Sequence, residues 1–271
     1  GTDTNGVVTD AERAVALSAI DSVCLLHSDV SADSLATILV AFLNGQDEYE
    51  EAGQAGTSVW ARFDDGRMVT IPNNRFPSEP TIGMDTVSLH GAPPGKHVPF
   101  EQNPASEDRL AEPARGRTAS STLGSPSYGL PHSSSGWFMG TLGNCFEEAW
   151  PYTGMLLELS GYVYHPSTLS KVGDLKQIRD CGVFHIDAHG GVCEARDGEM
   201  ITGIWTGEGF SDGGEKAYKT ELDSGLLVYM YALGFDGNSC KNVWRYAFTG
   251  KYVATNMSFS ANSFVYISAC E

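Results

Sequence analysis

Gly182-Val183-Phe184-His185-Ile186-Asp187-Ala188-His189-Gly190-Gly191 and Phe264-Val265-Tyr266-Ile267-Ser268-Ala269-Cys270-Glu271 are the stretches on which the reading of this chain turns. Each is an apolar run of strand length that ends in one reactive residue. The first delivers an imidazole followed by two glycines, the second a thiol preceded by alanine. Short apolar runs of this kind read as buried strands. In open α/β sheets, ligands bind in the crevice beyond the carboxyl ends of the strands. Neighbouring strands would therefore bring His189 and Cys270 to one cleft, the layout of a nucleophile and its base.

The chemistry asks for both partners. A thiol near its free pKa is only a few per cent thiolate at neutral pH, so a catalytic cysteine needs an imidazole or another environment that lowers its pKa. Glycine after His189 is expected to turn the backbone sharply and let it approach a substrate carbonyl. The amides of Gly190 and Cys270 are then candidates for an oxyanion hole. Ser268 and Ala269 leave room for a substrate backbone. Each motif has a plain structural alternative: a buried strand with an inert thiol, and a histidine in a turn. Their order on strands of the same type joins them into one proposal.

Around these runs the chain alternates strands and helices from Trp137 onward, the mark of βαβ units. Strands are expected at Gly136–Leu142, Tyr162–Tyr164, Gly182–Ala188 and Ser263–Ala269. Helices are expected at Pro151–Ser160, Ser167–Asp180 and Leu222–Leu233, with peripheral β structure at 199–206 and Trp244–Val253. Upstream, Thr9-Asp10 precede a helical spacing over 9–27, and a second helix runs from Ser31 or Asp33 to Leu43. Asp64-Asp65-Gly66 between two apolar runs predicts a hairpin. Three regions follow: a helical and hairpin segment (1–75), a linker or wrapping loop (76–135), and a catalytic domain (136–271). Residues 72–135 hold ten of the twelve prolines, too few apolar groups to build a core, and Arg109, Arg115 and Arg117 as candidate nicking positions.

Composition narrows the partners. The 34 acidic and 17 basic residues give a formal charge of −17, which argues against nucleic acid as a partner. No apolar run reaches the roughly 18–20 residues of a membrane span. Six cysteines are too sparse for a disulfide scaffold, and none has zinc-like spacing, so neither metal nor cofactor is expected. Cys181 and Cys193 are left open as a pair or as free thiols. Asp236-Gly237-Asn238 lacks the spacing of a calcium loop and reads as a turn. The compartment stays open, with a secreted or periplasmic setting favoured over a cytoplasmic one.

A hydrophobic strand ending in His-Gly, followed by one ending in Ala-Cys, resembles the caspase-like superfamily of cysteine peptidases, which includes caspases, metacaspases, legumain and gingipains. Ile267-Ser268-Ala269-Cys270-Glu271 is most similar to the legumain form. The resemblance covers about 136–271. It implies a mostly parallel α/β sheet flanked by helices, with His189 as general base and acid, Cys270 as nucleophile and Gly190 as an oxyanion donor. Ser268 would contribute to substrate binding. It also implies further strands after the nucleophile, so the expectation is a domain incomplete at its carboxyl end, either because the protein is cleaved or a fragment or because the remainder lies on a second chain. Glu147 and Glu148 are candidates for favouring a basic P1 residue, against a solvated loop. The expected activity is hydrolysis of protein or peptide substrates, with processing of a zymogen at the linker. The alternative is an inactive caspase-like interaction module.

Overall fold

The computed structural model describes residues 8–55, 58–72, 129–168, 170–236 and 239–270. The linker beyond residue 72, its three arginines, Gly237, Asn238 and Glu271 lie outside the described residues. Those described belong to one compact unit.

Helices α1 (Asp10–Leu26) and α2 (Ala32–Leu43) begin at side-chain caps. Thr9 and Glu12 form a capping box, each side chain taking the other's backbone N–H, which satisfies two amides the first turn leaves orphaned. Leu17, Ile20 and Cys24 of α1, with Leu35, Leu39 and Leu43 of α2, are buried in the main core. Strands β1 (Tyr49–Ala55), β2 (Ser58–Phe63) and β3 (Met68–Pro72) follow as an antiparallel meander. Gly66, at φ 90°, makes the turn between β2 and β3, a backbone state that glycine adopts at no steric cost.

The second part contains β4 (Ser135–Gly140), α3 (Trp150–Leu159), β5 (Val163–Ser167), the single turn α4 (Val172–Leu175) and the long strand β6 (Cys181–Glu194). After it come β7 (Met200–Gly209), α5 (Asp212–Ala217), α6 (Lys219–Asp223), β8 (Leu227–Asp236), β9 (Ser239–Thr249), α7 (Gly250–Asn256) and β10 (Phe259–Cys270). All ten strands form one sheet, in the order β1-β2-β3-β8-β9-β7-β6-β4-β5, with β10 also paired to β6.

The fold is thus α/β with a ten-stranded mixed sheet flanked by helices. The expectation of a mostly parallel sheet is corrected. The ladders β3·β8, β4·β5, β4·β6 and β6·β10 are parallel, whereas β1·β2, β2·β3, β6·β7, β7·β9 and β8·β9 are antiparallel. Short connections such as those from β1 to β3 and from β8 to β9 can join only antiparallel neighbours. The helix expected over Leu222–Leu233 shrinks to α6, and Val228–Ala232 form a central strand instead. Its Val228, Tyr229, Met230 and Tyr231 are buried on both faces, and a run of β-branched and aromatic residues in that setting favours a strand. The helix expected over Ser167–Asp180 is only α4, and β1 was not foreseen.

Strand β6 changes partners midway. Val183–Asp187 lie between β4 and β10, both parallel to it, Ala188 and His189 pair with β10, and Gly190–Glu194 pair antiparallel with β7. The strand therefore runs on through His189-Gly190-Gly191, where a sharp turn was expected. Gly191 answers to packing: a Cβ there would lie 2.6 Å from Thr70 Oγ1 and 3.0 Å from Pro72 Cγ. Thr70 Oγ1 donates to the Val192 carbonyl (3.0 Å), and the Val192 amide donates to Ser58 Oγ (3.2 Å), so β2 and β3 lie directly against this half of β6.

A buried ionic knot ties α1 to this sheet. Glu215 lies between Arg67 (2.6 Å) and Arg13 (3.4 Å), and Arg13 also reaches Asp65 at 2.9 Å. Tyr229 donates its hydroxyl to Glu215. Loss of Glu215 would take the shared carboxylate from two buried guanidiniums, leaving Arg13 on Asp65 and Arg67 on Asp223, a costly arrangement.

Candidate functional site

Register brings the two motifs together. Along the β6·β10 ladder, Phe264 pairs with Val183, Tyr266 with His185, Ser268 with Asp187 and Cys270 with His189. Five steps along β10 from Phe259 match only two along β6 from Cys181, and Asn262, at φ 60°, sits in the resulting bulge. Asn tolerates that left-handed state better than most residues, and bulges commonly re-aim strands beside functional sites. Without it the apolar runs would not align, and Cys270 would not stand opposite His189. Gly190 adjoins His189 and pairs with Ile204 of β7. Ser268 is half-buried on the neighbouring strand. The four predicted site residues therefore meet at the point where β6 leaves its parallel partners.

His189 is held on several sides. Its ring lies 4.9 Å from that of Trp205 and 5.1 Å, edge-on, from Phe146. Its Nε2 is 2.6 Å from the Leu233 carbonyl of β8. A carbonyl only accepts, so Nε2 carries the proton and Nδ1 is left with the lone pair. Burial pushes the imidazole below its ordinary pKa, against the opposing pull of the Leu233 hydrogen bond. The result is a neutral base with a fixed tautomer. His189 as a residue is only 7 % exposed, so reagents reach it from a narrow range of directions.

A disulfide frames this arrangement. Cys145, in a 3-10 turn after β4, is bonded to Cys240 at the start of β9, with Cα atoms 5.6 Å apart and a sequence separation of 95. Phe146, next to Cys145, packs on His189, and Leu233 belongs to the β8–β9 hairpin that Cys240 anchors. The bond thus ties together two elements that hold the imidazole. The pairing left open in the sequence, Cys181 with Cys193, does not form: both are free and buried. Burial raises the Cys181 thiol to about 11 and the Cys193 thiol to about 12, so neither is a nucleophile near neutral pH.

Two further residues of β6 matter more than the sequence suggested. Asp187 is buried and accepts from the backbone amides of Ala149 (2.7 Å) and Trp150 (2.8 Å) at the start of α3. It also accepts from His185 Nε2 at 3.1 Å. Burial acts to raise its pKa, but the hydrogen bonds from His185 and the two amides prevail and hold the carboxyl below its ordinary value. Asp187 is thus a cap supplied to α3 by the neighbouring strand. Pro in the first helical turn has no N–H to offer there. Glu148 is likewise occupied, accepting from the Leu142 amide (2.8 Å) and Trp150 Nε1 (3.0 Å), while Glu147 is exposed.

Among the described residues, no group of three or more His, Cys, Asp or Glu side chains is placed to hold a metal ion. No described helix is long and apolar enough to cross a membrane. Phe146, Trp205, Leu233 and the Cys145–Cys240 bond were not legible beforehand, since each reaches His189 from a distant part of the chain. Comparison of the chain with protein-family models, with curated proteins and with solved structures finds no match.

Proposed function

We propose that this chain is a cysteine endopeptidase of the caspase-like kind, cleaving peptide bonds by acyl transfer to Cys270. The observation that carries the reading is the pairing of Cys270 with His189 on adjoining parallel strands, next to a histidine already set in one tautomer. In this mechanism His189 Nδ1 takes the proton of the Cys270 thiol, and the thiolate attacks the scissile carbonyl carbon. The amides of Gly190 and Cys270 stabilise the oxyanion. The C–N bond then breaks as His189 returns its proton to the leaving amine. A water molecule, deprotonated by the same imidazole, hydrolyses the thioester. Leu233 plays the orienting part that a third residue supplies to other nucleophile–base pairs. Ser268 is the neighbouring contact for the substrate backbone. Cleavage within the linker as an activation step belongs to the same proposal.

A second reading, an inactive caspase-like interaction module, draws on the depth of His189 and on the exposed apolar residues of β10. A mixed peptide library digested by the full chain and by Cys270→Ala separates the two. The peptidase reading expects cleavage products from the parent protein alone. Equal products from both, or none from either under reducing and oxidising conditions, would sink it.

A further inference from the structure

A groove of about 570 Å³ lies between α3 and β10, on the sheet face that carries Val183, His185 and Asp187. Val183 and His185 line it from β6, Phe264 and Tyr266 from β10, and Leu156 and Leu157 from α3. Its size falls within the range of small-molecule sites, roughly 300–1,000 Å³. Phe264, Tyr266 and Leu156 are exposed, so apolar area is available there for burial.

One polar atom gives the groove a chemical identity. His185 is only 2 % exposed, and its Nδ1 has no hydrogen-bond partner among the described residues. Its Nε2 faces Asp187, whose carboxylate only accepts. In the neutral ring, therefore, Nε2 carries the proton and Nδ1 is a bare acceptor. A buried acceptor without a donor is costly, and native structures rarely leave one without a reason. Tyr266, half exposed on β10, which pairs with β6 alone among the described strands, stands edge-on to the imidazole with ring centroids 4.7 Å apart. The walls thus suit an aromatic ring, and one of them, His185, holds an Nδ1 covered from solvent that asks for one donor.

We propose that this groove binds a small, flat, apolar ring compound carrying a single N–H or O–H donor, of the indole or phenol class, with the donor on His185 Nδ1. The inference is independent of the proposed peptidase activity.

Indole and 1-methylindole test it on the unmodified chain, because they differ in the donor and little in shape. Calorimetric titration should show saturable indole binding with a Kd on the order of 1 mM, as expected for a ligand of that size. Loss of the donor should weaken binding by about five- to tenfold. The ¹⁵N resonance of His185 Nδ1 should move with indole and stay put with 1-methylindole. In His185→Phe the preference for indole should disappear. Equal binding of the two compounds, no saturable binding of indole, or a preference that persists in His185→Phe would overturn the proposal. Should His185→Phe not fold, the two-compound comparison and the nitrogen shift decide it alone.

Discussion

Replacing Asp187 separates its role as a cap from its role as a partner of His185. The carboxylate accepts three hydrogen bonds, from the Ala149 and Trp150 amides and from His185 Nε2. Hydrogen bonds to a charged group contribute about 1.5–3 kcal/mol each, offset here by the cost of burying the charge. Asp187→Ala leaves all three donors buried without an acceptor, for an expected loss of about 3–5 kcal/mol. Asp187→Asn keeps an oxygen for the amides but turns an NH₂ towards His185, which must then move its proton to Nδ1. That change should cost about 1–2 kcal/mol. Urea unfolding followed by circular dichroism measures both, and amide exchange at Ala149 and Trp150 localises the loss. The carboxyl titrates below its ordinary value when folded, so its stabilisation is present above about pH 3.9 and is lost as pH falls through the folded value. The gap between the parent protein and Asp187→Asn should narrow over that acid range. An Asp187→Ala cost under about 1 kcal/mol, with exchange at α3 unchanged, would refute the capping argument.

Three other outcomes follow from the same contacts. Because burial depresses the His189 pKa, the unfolded chain binds more protons below about pH 6.5, and stability should fall as pH drops through that region. His189→Gln should flatten part of this slope in urea midpoints collected from pH 8 to 5. Gly191→Ala should lose about 1–3 kcal/mol by overpacking against Thr70 and Pro72, and adding Thr70→Ala should restore part of it in a double-mutant cycle. Removing the Cys145–Cys240 bond by paired serine substitution should cost up to about 4.7 kcal/mol, the loop-closure value for a separation of 95 residues. Chemical reduction of the parent protein should produce the same shift in its urea midpoint.

Local signals carried far in this chain. Thr9-Asp10 marked the start of α1, Asp64-Asp65-Gly66 marked the β2–β3 turn, and the apolar runs at 182–188 and 263–269 became strands in the predicted order, although the second, expected to be buried, leaves Phe264, Val265, Tyr266 and Ile267 exposed. What failed depended on tertiary partners. The run Val228–Ala232 lies in a strand buried on both faces, where two-residue alternation is lost and a helix reads equally well. β1 carries Glu50 and Glu51 side by side and so lacks two-residue alternation; Arg62 of β2 reaches across to both carboxylates, a pairing invisible in β1 alone. Gly190-Gly191 looked like a turn because nothing in the sequence reveals that Thr70 packs against it. His189 and Cys270 could be named from their strands, whereas Leu233, Phe146, Trp205 and the disulfide reach the site from other elements. Asp187 could be seen as polar but not as a cap, since α3 starts 37 residues earlier in the chain.

Labelling with a thiol-directed peptide ketone, followed by mass-spectrometric mapping, addresses the proposed dyad most directly. The account predicts one adduct on Cys270 in the native protein, absent in Cys270→Ala and strongly slowed in His189→Gln. Cys181 and Cys193 should stay unmodified until the chain unfolds. An adduct on either of them in the native state, or labelling of Cys270 at the same rate without His189, would contradict it.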